Sequence, residues 1–322
     1  MIVFISFRGH QLAVQSRLDK TFGVPTPDIR HTHYERLLRS VRIPRATYVF
    51  CDFESLRPWM LQLAAELYRM MTAAGLRCLN DPAMAMSRVE LLTTLRREGF
   101  NPFGVYHADT DPHPRRFPVF VRNELGHGMP FDTLYEDQES LTAGLAALKK
   151  AGMPLRGLLV IELAAERYNE TLWAKWGTWC IGGQTVLEHI AVDDTWLVKI
   201  GDHAKVTPEI AQDEHDAVLA NRYADDLSRA FALGNLEYGR ADHAQYNGRT
   251  VLFEVNTNPY IGPFKPRSPA IRTETTLFAR RRMAECHEAI DTPVGGSVWL
   301  PNWRARRPWV WFRPGFVGPP GP

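Results

Sequence analysis

The segment from residue 236 to residue 259, LEYGRADHAQYNGRTVLFEVNTNP, holds the side chains whose types and spacing point most clearly to chemistry. Two strand-like runs flank Asn247-Gly248, a dipeptide that is a strong short-range signal for a β-hairpin. On the second run, Glu254 and Asn256 are two residues apart, so their side chains leave the same face of the strand. With Asp242 on the first run, the hairpin offers two carboxylates and one amide oxygen.

The register of this hairpin decides whether the three oxygen-bearing side chains share a face. A strict two-residue turn would pair Asp242 with Phe253 and place Asp242 and Glu254 on opposite faces. A three-residue loop, Tyr246-Asn247-Gly248, with Gly248 in the left-handed region of a bulge, pairs Asp242 with Leu252 and aligns all three side chains. We therefore predict the three-residue loop.

Two carboxylates and an amide oxygen on one rigid face form a hard-ligand set. Such a set suits magnesium, which completes its octahedron with water and substrate phosphates, whereas a transition metal prefers softer ligands. The alternative is a polar, solvent-facing side of an amphipathic strand, and the spacing of Asp242, Glu254 and Asn256 taken alone favours that alternative.

The elements before the hairpin alternate between strands and helices. In the first 80 residues, strands are predicted at IVFIS, at ATYVFCDF (46–53) and at RCLN, with a helix over 57–74 capped by Gly75. This pattern indicates an open α/β unit. No glycine-rich dinucleotide fingerprint and no Walker loop occur in it, so those two nucleotide-binding modes lose their main support.

The middle of the chain continues with helices and antiparallel strands. Ser87 and Glu90 form a capping box that opens a helix ending at Gly99. The remaining predictions are a strand at 117–122, a glycine-bearing loop, a helix over 137–151, a strand at 157–163, a hairpin or meander over 172–200 and one long helix over 208–233 followed by Gly234.

The run GRAD followed by FEVNTNP resembles the C-terminal metal-binding hairpin of the ATP-grasp superfamily, and the order of elements is similar over roughly residues 1 to 290. The resemblance implies an α/β (α+β ATP-grasp) fold, with a small open α/β domain followed by two lobes. Each lobe is an antiparallel sheet with helices, and the ATP cleft lies between them. We expect domains at 1–81, 82–160 and 161–292, and a Pro/Trp/Arg-rich tail at 293–322.

The resemblance also implies which residues contact ATP. Arg88 and Arg122 match the basic residues that hold the phosphates, although lysine is commoner at the second position, where the planar fork of arginine can still grip phosphate. Gly126 and Gly128 resemble the flexible loop that covers the phosphates. Arg88 also fits an ordinary surface cation, and the two glycines also fit an ordinary turn.

The run VIEL at 160–163 resembles the hinge whose backbone binds adenine, so Ile161, Glu162 and Leu163 are assigned to the ATP site. In this interpretation Val160 and Leu163 sandwich the base. Glu162, or alternatively Glu166 or Glu170, accepts the ribose hydroxyls, although exposed glutamates are usually only solvated.

Two further cations complete the predicted site. Lys175 resembles a cation that the superfamily places near phosphate, although a snorkelling surface lysine is the commoner case. Arg240, two residues before Asp242 and on the same strand face, resembles a cation near phosphate or acceptor and is the predicted catalytic residue. Asp242, Glu254 and Asn256 are the predicted metal ligands.

The expected activity is that of an ATP- and Mg²⁺-dependent ligase that joins a carboxylate to an amine through an acylphosphate. Two alternatives use the same nucleotide site: a small-molecule kinase, and an inactive ATP-binding regulator, which the arginine at position 122 makes worth considering. The acceptor, whether a small molecule or a peptide, has no readable motif.

Composition narrows the partners and the compartment. The net charge of +2 gives no support for a nucleic-acid or membrane partner, and the first apolar run is too short for a signal or a membrane span, which favours a cytoplasmic protein. The four widely spaced cysteines are expected to be reduced. The tryptophan- and arginine-rich tail fits an arm that packs on the protein itself or joins a homo-oligomer, or, less favoured, one that binds nucleic acid.

Overall fold

The computed structural model describes residues 1–10, 27–125, 132–261, 264–293 and 295–300. In these ranges the helices are α1 (Tyr34–Leu37), α2 (Pro58–Ala73), α3 (Arg88–Arg97), α4 (Gln138–Lys150), α5 (Pro208–Ala220), α6 (Ala224–Leu233) and α7 (Ala270–Ile290). The strands are β1 (Ile2–Ser6), β2 (Ile29–His33), β3 (Arg42–Pro44), β4 (Thr47–Phe50), β5 (Arg77–Leu79), β6 (Val105–His107), β7 (Val119–Asn123), β8 (Leu134–Tyr135), β9 (Leu158–Glu162), β10 (Trp173–Ile181), β11 (Gln184–Asp193), β12 (Tyr238–Tyr246), β13 (Arg249–Asn256) and β14 (Ser297–Trp299).

The N-terminal sheet is parallel and has the strand order β2-β1-β4-β5. Every residue of β1 and β4 is buried, as expected of apolar strands in a parallel sheet. Helix α2 begins at Pro58, ends before Gly75 and turns Met60, Leu63 and Leu67 inward, and it connects β4 to β5. This open α/β unit is the one that the sequence pattern predicts.

Two four-stranded antiparallel sheets follow. The first has the order β6-β9-β7-β8, and Leu141 of α4 packs with Val119 and Val160 on one of its faces. The second has the order β11-β10-β12-β13, and α5, α6 and α7 pack on it. The predicted fold class, an open α/β unit and two antiparallel sheets with helices, is therefore confirmed, while the exact domain boundaries stay a prediction.

Three predictions of secondary structure were wrong or incomplete. The single helix over 208–233 is two helices, because Asn221 adopts a left-handed conformation (φ 49°) and its side chain bonds to the backbone of residues 185 and 187. Helix α7 was not predicted. No strand was predicted in the tail, but its beginning contains β14, which pairs with β3, and Leu300 is buried.

Two buried asparagines hold the hairpin of β12 and β13 against the rest of the chain. Asn80 donates to the carbonyls of Phe50 and Tyr238 and accepts from two backbone NH groups at the start of β12. Asn101 exchanges two hydrogen bonds with the backbone of Leu252 in β13. Because these buried amides bond to backbone groups, the bonds fix the position of β12 and β13.

All four cysteines are buried and unbridged, in agreement with the expected reduced state. Among the described helices, none combines the length and the apolar character that crossing a bilayer requires.

Candidate active site

The hairpin formed by β12 and β13 aligns the three predicted metal ligands, but by a different device from the one predicted. Tyr246 pairs with Arg249, so the turn has two residues, Asn247 and Gly248, both with positive φ. The predicted three-residue loop was therefore wrong. The ladder shifts at Asp242/His243, where Phe253 is the extra residue of a β-bulge.

Because of this bulge, Asp242 lies directly opposite Glu254, rather than opposite Phe253 or Leu252. Arg240 lies opposite Asn256 in the same way. Alternation along each strand then places all four side chains on one face. The prediction that Asp242, Glu254 and Asn256 share a face follows from the bulge and not from the turn.

Glu254 is the meeting point of two arginines that come from different elements. Its side chain is buried, and its Oε2 accepts from Nη2 of Arg88 and, at 2.6 Å, from Nη2 of Arg122. The Ser87–Glu90 capping box is present and fixes Arg88 in the first turn of α3, where its guanidinium also donates to the carbonyl of Asn123 at 2.8 Å. Burial lowers the pKa of Arg88, while Glu254 opposes that effect.

Asp242 is held by the other two predicted cations. Lys175 Nζ donates to its Oδ2 at 2.9 Å, and Arg240 Nε lies 3.5 Å from its Oδ1. Burial by itself would raise the pKa of Asp242, but Lys175 and Arg240 outweigh burial and lower that pKa to about 2. Asp242 is consequently ionised at neutral pH, as a magnesium ligand must be.

Asn256 connects the hairpin to the N-terminal sheet. Its Oδ1 accepts from the backbone NH of Asn258 at 2.8 Å. The Asn258 side chain in turn donates to Asp52 at 3.0 Å, and Asp52 pairs with His10 at 2.9 Å. The metal-ligand face thus ends at the carboxyl edge of the parallel sheet, where ligands of open α/β sheets bind.

A cavity of about 330 Å³ lies between the two antiparallel sheets. Arg122, Lys175, Arg240, Asp242 and Glu254 line one part of it. The remaining lining is mostly apolar and aromatic, and includes Phe103, Phe120, Ile161, Leu163, Trp173 and Trp196. One cavity therefore combines an apolar part with a strongly charged end, which is the usual make-up of a small-molecule site.

Two residues of strand β9 do not lie as predicted. Val160 does not face the cavity, because it is buried under α4 with Val119, whereas Ile161 and Leu163 line the cavity. Glu162 also lines the cavity, but its carboxylate is not open to a ribose. It accepts from the backbone NH groups of residues 104, 115 and 116, at 2.7 to 3.3 Å, and from the Tyr106 hydroxyl at 2.8 Å.

The structure describes Glu166, an alternative ribose ligand, but not the two glycines of the predicted phosphate-covering loop. Glu166 accepts from the backbone NH of Asn247, at 2.6 Å, and so braces the hairpin turn. Gly126 and Gly128 lie outside the described residues, so their role as a phosphate cover stays a prediction.

Several residues of the site were not predicted from the sequence. Phe120 and Trp196 have ring centroids 4.9 Å apart at the cavity wall, and the carbonyl of Lys199 accepts from Lys175 at 3.0 Å. The aromatic residues come from a strand and from a loop far apart in sequence, so only the fold brings them together. Alternation along the FPVFVR strand could have pointed to Phe120, since it shares a face with Arg122.

The donor set fits magnesium. Two adjacent carboxylates and an amide offer hard oxygen atoms, and the four cations around the carboxylates would balance phosphate charge. Within the described ranges, no group of three or more His, Cys, Asp and Glu side chains is placed to hold a metal. The hairpin set differs because it contains an asparagine, and it would need the oxygens of a bound phosphate to complete its coordination.

Comparisons with known proteins give a clear result only at the level of structure. No protein-family model and no curated protein matches the sequence. The ATP-grasp ligase PsnB complexed with its minimal precursor is similar over 89% of this chain and 98% of that chain, with 11% identity and a TM-score of 0.51. PsnB complexed with precursor peptide PsnA2 and AMPPNP is similar over 89% and 96%, with 13% identity and a TM-score of 0.50.

A D-alanine–D-alanine ligase from Bacillus anthracis is also similar, over 90% of this chain and 97% of that chain, with 12% identity and a TM-score of 0.49. Identities this low concern the fold alone.

Proposed function

The chain has the ATP-grasp fold, and on that premise we propose that it is an ATP- and Mg²⁺-dependent ligase that joins a carboxylate to an amine through an acylphosphate. The observation that carries the proposal is the face on which Asp242 lies opposite Glu254, with four cations paired to these two carboxylates at the end of an apolar cavity. Such a face matches a nucleotide whose phosphates are bridged by a metal ion.

The base of ATP would occupy the apolar part of the cavity. Ile161 and Leu163 lie on the hinge, Phe120 is the partner of Ile161 on the neighbouring strand β7, and Trp196 lies against Phe120, so the two rings offer aromatic surface for stacking. The phosphates would then point towards Arg122 and Lys175, with Arg88 behind Arg122. Arg122 reaches the same carboxylate oxygen as Arg88, which supports its role as a phosphate-binding cation in place of the commoner lysine.

Asp242, Glu254 and Asn256 would hold magnesium, which when bound neutralises the negative charge of the phosphates. A carboxylate oxygen of the acid substrate attacks the γ-phosphorus, and ADP leaves. The amine then attacks the carbonyl carbon, phosphate leaves, and the amine loses a proton as the amide bond forms. Arg240 is placed beside Asp242 to stabilise the charge that develops on the acid during both steps.

The resident ion pairs explain how the site can stay folded before it binds substrate. Arg88 and Arg122 neutralise Glu254, and Lys175 and Arg240 neutralise Asp242. Buried charges need such partners. Binding of the nucleotide exchanges these contacts for contacts to phosphate and metal, so the same side chains serve both states.

The test is an assay of ADP formation with ATP, Mg²⁺, a panel of carboxylic acids and hydroxylamine, which traps an acylphosphate as a hydroxamate. A ligase gives ADP, phosphate and a hydroxamate that all depend on the acid. A kinase gives ADP and a stable phosphorylated product without release of phosphate. An inactive regulator binds Mg²⁺-ATP without forming ADP, and either of these two results would refute the ligase.

A further inference from the structure

A second group of cations lies beside the metal-ligand face, on the side away from Arg88 and Arg122. In the sheet β11-β10-β12-β13, one row of paired residues crosses all four strands and contains His189, Gly177, Asp242 and Glu254. His189 therefore lies two strands from Asp242, about 10 Å away at the usual strand spacing. Arg280 of α7 reaches the same region, because its Nη2 is 3.6 Å from Glu188, the neighbour of His189.

Three nitrogen atoms of this group are buried without a hydrogen-bond partner among the described residues. They are Nε of Arg240, Nε of Arg280 and Nδ1 of His189. Nε of Arg240 lies 3.5 Å from Asp242 and Nδ1 of His189 lies 3.4 Å from Glu188, both at ion-pair distance, whereas the atom of Arg280 that lies 3.6 Å from Glu188 is Nη2 and not Nε. Arg280 is 6% exposed. Buried polar atoms without partners are rare, and three in one region call for an explanation.

Gly177 allows the side chains of His189 and Arg240 to lie close together over the sheet. A Cβ atom at this position would lie 3.1 Å from Cε1 of His189 and 3.6 Å from Cδ of Arg240. The two side chains thus face one another across the glycine, above the strand that also pairs with Asp242.

The charges in this region do not balance. Glu188 accepts from the Trp179 indole at 2.6 Å, and although burial opposes ionisation, His189, Arg280 and Arg240 hold its pKa well below the ordinary range. Glu214 is paired with Arg272, whose Nε donates to Oε2 of Glu214 at 2.6 Å. With Glu254, which belongs to the row, and the two arginines paired with it, the charged side chains around the row are four carboxylates, Glu188, Glu214, Asp242 and Glu254, and seven cations, Arg88, Arg122, Lys175, Arg240, Arg267, Arg272 and Arg280.

Arg267 carries part of the excess. It is half-buried, and within the described residues its side chain forms no hydrogen bond and no ion pair to an acid. Burial and the neighbouring Arg272 lower its pKa, while Glu214 and Glu188 raise it. His203, whose pKa is lowered by burial and by Arg267, lies at the same edge. The accessible groups that can donate to an anion are therefore Arg240, His189 and Arg267, with Arg280 behind them.

We propose that this region binds a second carboxylate of the acid substrate, so that the acid is a dicarboxylate. One carboxylate would lie beside Arg240 and the metal ligands, where it is phosphorylated, and the other would contact His189 and Arg267. This inference rests on the proposed ligase function and adds to it the class of the acid.

The test compares matched acids in the hydroxylamine assay. Glutarate is compared with pentanoate, which has the same number of carbon atoms and one carboxylate, and the blocked dipeptide Glu-Glu is compared with Glu-Gln to distinguish a small acid from a peptide. Because the second carboxylate makes charge-assisted hydrogen bonds, kcat/KM for the dicarboxylate should exceed that of its partner by roughly tenfold or more. Equal values within each pair would overturn the inference.

Variants assign the preference to this region. Arg267→Met should raise KM for the dicarboxylate and bring the ratio within each pair close to one, with little change in the kinetics of the monocarboxylate. Arg281→Met, an exposed arginine on the same helix as Arg280, is the control and should keep the parent ratio. Should Arg267→Met fold poorly, His189→Gln gives the same comparison. A preserved ratio in folded variants would show that the cations only stabilise α7.

Failure of the inference can be separated from failure of the proposed function. The acids are also titrated by calorimetry into the protein with Mg²⁺ and AMPPNP, so the comparison does not depend on turnover. Tight nucleotide binding with no preference for dicarboxylates contradicts only the inference. Absence of nucleotide binding contradicts the proposed function as well.

Discussion

The substitution Glu254→Gln separates the two tasks that Glu254 has in the proposed site. Without ligand, Glu254 neutralises Arg88 and Arg122, which bond to the same carboxylate oxygen. With nucleotide, it is a proposed magnesium ligand. The glutamine keeps the size of the side chain but removes the charge, so the two tasks should respond in opposite directions.

In the absence of magnesium, the variant should bind ATP more tightly than the parent, by up to roughly tenfold, because two arginines lose their competing carboxylate. In the presence of magnesium, it should bind more weakly. A charge-assisted contact contributes about 1.5–3 kcal/mol, so the factor by which magnesium improves ATP binding should fall by roughly ten- to a hundredfold.

The assay is calorimetric titration of ATP in EDTA and in excess Mg²⁺, for the parent and for Glu254→Gln. Glu274→Gln changes an exposed glutamate on α7 and is the matched control, which should leave both affinities unchanged. If Glu254→Gln weakens ATP binding by the same factor in EDTA and in Mg²⁺, Glu254 only positions the arginines, and the reasoning about the metal is refuted.

Three further predictions test individual residues. Arg122→Met should weaken Mg²⁺-ATP binding by roughly tenfold or more, and Arg122→Lys by less, because lysine keeps the charge but loses the fork; equal losses in the titrations would contradict this explanation. Glu162→Gln should lower the free energy of unfolding in urea by about 1–3 kcal/mol with little effect on ATP affinity, because its carboxylate accepts bonds from three backbone NH groups and Tyr106; the reverse pattern would restore Glu162 as a ribose ligand. Burial, and then Asp52, raises the pKa of Glu54 to about 7, so its contribution to stability is complete below pH 4.5 and is lost as the pH rises through 7. Glu54→Gln should therefore be more stable relative to the parent at pH 8 than at pH 5 in urea unfolding, and identical pH slopes would contradict this sign.

Local patterns predicted the elements that carry strong signals. The buried strands, the Ser87–Glu90 capping box and the hairpin at Asn247-Gly248 are set by neighbours in sequence, and each is present where expected, although the turn has two residues and not the three predicted. Helix α7 was missed because its buried face is polar, with Arg272, Thr276 and Arg280 at four-residue spacing, so the usual apolar stripe is absent. Such a polar face can be buried only when residues on other elements pair with its side chains.

The same distinction applies to the site. The chemistry of Asp242, Glu254 and Asn256 and their common face could be predicted, but the bulge at Phe253 could not, since a strand with one extra residue has no separate sequence signal. Glu162 lies within the predicted hinge, 160–163, and the prediction that it binds the ribose rested on that position. Its actual partners lie on residues 104–116, which only the folded sheet brings close.

The central claim is that the protein activates a carboxylate by phosphorylation. The most direct measurement uses an acid found active in the hydroxylamine assay and labelled with ¹⁸O in its carboxylate, and follows the label by mass spectrometry. If the acylphosphate forms and an amine displaces phosphate, one labelled oxygen appears in each phosphate released. Unlabelled phosphate, with the label retained entirely in the acid, would mean that water attacks ATP directly and would contradict the account.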